Sequence, residues 1–66
     1  MRDIKRIRKF CNELADIWEE NSCDWRFGQL ICNVFGQMAA EGRDPFFPEE
    51  NEMIKYFKNY FKNEEN

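Results

Sequence analysis

Apolar residues recur along the first twenty positions at Ile4, Ile7, Cys11, Leu14 and Trp18, and Phe10 and Ile17 widen that row. Steps of three and four residues keep side chains on one face of a helix, so the pattern predicts an amphipathic helix from about Asp3 to Glu20. A second segment, Trp25 to Glu41, sorts into three stripes. Phe27, Leu30, Ile31, Val34, Phe35 and Met38 form an apolar face, Gly28, Cys32 and Gly36 a row of small residues, and Gln29, Asn33 and Gln37 a row of amides. Between the two, Asn21-Ser22-Cys23-Asp24 reads as a polar connection in which Ser22 or Asp24 caps the second helix. Gly42 supplies the left-handed residue that ends it.

In Asp44-Pro45-Phe46-Phe47-Pro48 each proline pushes the residue before it out of helical geometry, which predicts an extended bridge whose two phenylalanines close one end of the core. Pro48 then suits the start of a third helix, 48–62, with residues 63–66 expected to fray. On this helix Met53, Phe57 and Phe61 point to the core and Tyr56 and Tyr60 to its shoulder. The expectation is an all-α fold: one domain, 1–66, of three helices joined by a Pro-Phe-Phe-Pro connection.

The small stripe on the second helix predicts a shallow groove for another helix or an aromatic ring. A glycine inside a helix costs about 1 kcal/mol against alanine, which close backbone packing could offset. Cys11 and Cys32 are expected to act as small buried hydrophobes and Cys23 to be exposed.

Charge changes the picture along the first helix. Arg2, Lys5, Arg6, Arg8 and Lys9 occupy its beginning and Glu13, Asp16, Glu19 and Glu20 its end, the reverse of what the helix dipole favours. Such an order suits contacts beyond the helix itself. The basic group offers a nucleic-acid interface, but a net charge of −3 and the acidic residues that follow oppose a phosphate backbone. The acidic group offers the opposite, a mimic of nucleic acid.

Chemistry is narrowly bounded. The chain has no histidine, no threonine and one serine, so the usual nucleophile and base pairs are missing and no catalytic residue is assigned. Three cysteines without close pairing predict neither a zinc site nor a disulfide framework, and no cofactor site is expected. Gly28, Asn33 and Gln37 interrupt the longest apolar run, which excludes a membrane span, and with no signal-peptide pattern a cytoplasmic location is expected.

The set Ile7, Leu14, Trp18, then Asp24-Trp25-Arg26-Phe27-Gly28-Gln29-Leu30-Ile31-Cys32-Asn33, then Asp44-Pro45-Phe46-Phe47 and Glu49-Glu50 resembles a group of short uncharacterised proteins of bacteria and their phages. It is distantly similar to the YihD-like domain of unknown function. The resemblance implies a phage or prophage setting and an intracellular location, and it carries no activity.

The resulting expectation is a non-enzymatic module that binds a protein partner, or itself as a homodimer, through Tyr56, Tyr60, Arg26, Gln29, Asn33 and Gln37. The alternatives are an anti-defence, anti-CRISPR-like inhibitor using Glu13, Asp16, Glu19 and Glu20, and a nucleic-acid binder using Arg2, Lys5, Arg6, Arg8 and Lys9.

Overall fold

The computed structural model describes residues 2–64 and contains three helices, α1 (Lys5–Asn21), α2 (Phe27–Ala40) and α3 (Glu50–Glu64). The all-α architecture is the predicted one. The expected tail is helical as far as Glu64, and residues 65–66 lie outside the described ones.

Each helix end has its own physical cause. Asp3 Oδ1 accepts the Lys5 backbone N–H at 2.9 Å, which satisfies one of the free donors of the first turn of α1. At the other end the Ser22 N–H donates to the Trp18 carbonyl. The chain then turns through a Trp25 N–H to Ser22 carbonyl bond of 2.9 Å, and the Trp18 indole N–H donates to the Trp25 carbonyl. Neither Ser22 nor Asp24 caps α2, and the helix starts two residues later than predicted. Ser22 Oγ is buried with no hydrogen-bond partner among the described residues, and the backbone at Arg26 takes the cap position. There the Arg26 N–H donates to Gln29 Oε1 at 2.7 Å, a side chain reaching back over the first turn. At the end of α2, Gly42 adopts φ +77°, its N–H donates to the Ala39 carbonyl, and the Arg43 N–H donates to the Met38 carbonyl at 2.8 Å. Those two bonds form the Schellman arrangement, for which a residue without Cβ is best suited.

The closest backbone approaches are α1 to α3 and α2 to α3, so α3 is the central element. Its buried residues Met53, Ile54, Phe57 and Phe61 meet Ile17 of α1 and Leu30, Val34 and Met38 of α2. Phe57 unites all three helices: its ring lies edge-on to Phe10 of α1 and to Phe35 of α2, with centroids 6.5 and 6.3 Å away. Trp25, in the connection, packs on Tyr60 and Phe61 and closes the opposite end.

Because α1 leans mainly on α3, its covered stripe runs through Phe10, Leu14, Ile17 and Trp18, and the first three members of the predicted row lie outside it. Ile4 is 76% exposed and Ile7 49%, and Cys11 is exposed beside them. The small-residue stripe of α2 also faces outward. A Cβ built on Gly28 or Gly36 meets nothing within 4 Å, and Cys32 is exposed, so no helix or ring occupies a groove there. Gly36 therefore adds backbone freedom to the unfolded chain without gaining a contact. Gly36→Ala is expected to raise stability by about 0.5–1 kcal/mol, read as a higher midpoint in urea. All three thiols should likewise react with a disulfide reagent in the native protein as fast as after unfolding; protection of Cys11 or Cys32 would mean that they are packed inside.

Candidate interaction surface

Phe46 and Phe47 do not close the core. They stand 83% and 73% exposed at the bridge between α2 and α3, their rings edge-to-face with centroids 5.1 Å apart. Asp44 Oδ1 accepts the Phe46 N–H at 2.9 Å and Pro48 follows Phe47, so both ends of the dipeptide are conformationally restricted. The expected capping fails because Trp25 and Tyr60 close one end of the core, and Phe10 and Phe35 already cover Phe57 beneath the bridge.

The exposed rings continue into a groove of about 360 Å³. Phe10, Phe35, Met53 and Phe57 contribute to its lining from the three helices. One wall is Ile7 and Cys11 of α1, and the other is Pro45, Phe46 and Pro48 of the bridge. Ile7 and Cys11 also border a shallow depression of about 700 Å³ on the outer side of α1, with Ile4, Lys5, Arg8, Lys9 and Asn12. The apolar surface thus extends from Ile4 over Ile7 and Cys11 to Phe46.

Predicted site residues fall into separate places. Tyr56, Tyr60 and Gln37 line a polar cleft of about 750 Å³ between α2 and α3, together with Arg43 and Asn59. Both tyrosines are half-buried against the core. Tyr56 Oη accepts from Arg43 Nη1 at 3.0 Å and the guanidinium sits 5.7 Å from the ring centre, while Tyr60 lies edge-on to Trp25 and Phe61. Arg26, Gln29 and Asn33 are exposed and do not line this cleft. Gln29 is occupied by the Arg26 backbone and Gln37 Nε2 donates to Glu41 Oε2 at 3.3 Å, so the amide stripe is not a free row.

The charged clusters are partly neutralised within the fold. Arg2 pairs with Glu49 at 2.8 Å, Arg6 with Glu50 at 2.7 Å, and Lys9 with Glu13 at 3.1 Å. The first two tie the beginning of α1 to the beginning of α3, which gives Arg2 and Arg6 a role despite their unfavourable place in the helix dipole. The Arg6–Glu50 pair is the more consequential, since each side chain is only about one-third exposed and so less screened. Lys5 and Arg8 have no ion-pair partner among the described residues, and neither have Asp16, Glu19 and Glu20.

No protein-family model, curated protein or solved structure matches the chain. Among the described residues no three acidic or cysteine side chains converge to hold a metal ion, and no helix is long and apolar enough to cross a membrane. The apolar surface at the bridge is separate from the polar cleft between α2 and α3. Sequence periodicity assigns Ile4, Ile7 and Phe27 to the core although they are exposed, and the prolines around Phe46 and Phe47 carry no signal of what covers those rings. The available signal was a surplus: three short helices around Phe57 need fewer large apolar groups than this chain carries.

Proposed function

We infer that the protein is a non-enzymatic interaction module that holds a protein partner through the surface formed by Ile4, Ile7, Phe46 and Phe47. The observation that carries this reading is the exposure of two adjacent, conformationally restricted phenylalanines beside an apolar groove. The two rings offer roughly 250–400 Å² of apolar area, and contiguous patches of a few hundred Å² on a monomer commonly serve as contact sites. Stiff aromatic anchors lose little conformational entropy on binding, which favours them at the centre of interfaces.

Three free, exposed thiols suit a reduced compartment, and we read the module as cytoplasmic. The phage or prophage setting implied by the segment Asp24–Asn33 belongs to the same reading. The acidic-mimic alternative has less support, because Glu13 is engaged by Lys9. The basic alternative is weakened in the same way, with Arg2, Arg6 and Lys9 in ion pairs. The deciding test compares the proteins recovered with the native chain and with a Phe46→Ser/Phe47→Ser variant.

A further inference from the structure

The geometry points to an acidic amphipathic helix as the occupant of this surface: its apolar row seats along Ile4, Ile7 and Cys11 and in the groove beside Phe46, and its carboxylates face Lys5 and Arg8. This rests on the interaction reading above and names the chemistry of the partner. Ile4, Ile7 and Cys11 follow one another at three- and four-residue steps over roughly 10 Å of helix, the spacing at which the ridge of a second helix interdigitates. The groove beside them is concave and mainly apolar, a shape that takes a protruding side chain, and the carboxylate in its lining, Glu50, is paired with Arg6.

Charge selects among the occupants. The outer depression on α1 is lined by no carboxylate and by three cations, of which Lys9 is held by Glu13 and Lys5 and Arg8 have no ion-pair partner among the described residues. Asp3 and Asp44, which lie nearby in sequence, accept backbone N–H groups of Lys5 and Phe46. A second copy of this chain would set the same cations against each other across a two-fold axis. An anionic lipid surface is flat and cannot follow the groove, and it meets the whole field of a chain with net charge −3. A single acidic helix sets no like charge against Lys5 and Arg8 and presents a ridge that the groove can take.

The experiment is selection from a random library of helix-forming peptides displayed on phage, with the intact protein as bait. Selected sequences are expected to combine an apolar row with flanking Asp or Glu. The strongest, synthesised with lysines in place of its carboxylates, should bind about tenfold more weakly at about 0.1 M salt. That follows if each of the exposed pairs at Lys5 and Arg8 contributes the usual fraction of a kcal/mol and turns repulsive on reversal. The difference should shrink at about 1 M salt, where the screening length falls to about 3 Å. A Lys5→Glu/Arg8→Glu variant, its fold checked by circular dichroism, should reverse the preference.

Selection of neutral or basic helices whose binding is lost in Phe46→Ser/Phe47→Ser would overturn the acidic partner and leave the interaction surface standing. Failure to enrich any sequence, or enrichment of sequences that bind this variant equally, would overturn both. Co-sedimentation with phosphatidylserine vesicles through Phe46 and Phe47 would assign the surface to lipid instead. A dimer in sedimentation equilibrium that this variant dissociates would assign it to a second copy.

Discussion

Phe57→Ala is expected to leave the chain largely unfolded, or so close to it that a small amount of urea completes the transition. Phe57 is 1% exposed and its ring touches Phe10 of α1 and Phe35 of α2, so truncation removes the group through which all three helices meet. Removing a buried phenylalanine side chain costs about 3–5 kcal/mol, part from lost burial and part from the cavity that remains. A domain of this length has only about 3–10 kcal/mol to lose. Neighbouring layers cannot easily refill the space, because Phe10 and Phe35 are already partly solvent-facing and would have to move inward together. Phe57→Leu keeps more of the volume and should fall between the two. The measurement is the urea midpoint by far-ultraviolet circular dichroism; a loss below about 1 kcal/mol for the alanine variant would show that the helices do not depend on this ring.

The same ring explains what could be read from the chain and what could not. Helix positions follow from periodicity and end signals, and these were legible: Gly42 adopts the left-handed geometry that its place after α2 demands, and the prolines bound the bridge. Periodicity also put Met53, Phe57 and Phe61 inward and Tyr56 and Tyr60 on the shoulder. It did not say how far each helix is covered. Whether Ile7 or Phe10 is buried depends on which side of α1 meets α3, and that is set by long-range packing such as Phe10 against Phe57. The predicted row keeps Leu14 and Trp18 against the core and leaves Ile4, Ile7 and Cys11 exposed.

The amide row shows a second kind of loss. Gln29, Asn33 and Gln37 share a face by spacing, as expected, but spacing is silent about competing local bonds. Gln29 turns back to the Arg26 N–H because the first turn of a helix has free donors that a nearby amide can satisfy. Tyr56 similarly meets Arg43 across the start of the bridge, a contact between residues thirteen apart that no helical period encodes. Local bonds thus engage part of the polar row, and the contact surface we propose rests on apolar groups that helical periodicity and the proline-bounded bridge assign to the core.

Phe46→Ser/Phe47→Ser should abolish partner binding and leave the fold intact, and that combination separates a contact surface from a structural one. At 83% and 73% exposure the two rings contribute little to the core, so stability should change by no more than about 0.5 kcal/mol. Their edge-to-face contact with each other is lost, but it joins no helix to another. In a complex the same rings would become buried, a gross gain of roughly 6–10 kcal/mol at the usual area coefficient, from which the costs of association are subtracted. Loss of a central aromatic anchor commonly weakens binding by 2 kcal/mol or more, about thirtyfold, and loss of both should take a micromolar complex beyond detection. Tyr56→Phe, which removes only the hydroxyl that Arg43 contacts, is expected to leave binding unchanged. The measurement pairs quantitative co-purification of the partner from native cells with urea denaturation of each variant. A serine variant that still retains the partner would move the site away from the bridge, and one that unfolds would show that the phenylalanines support the fold after all.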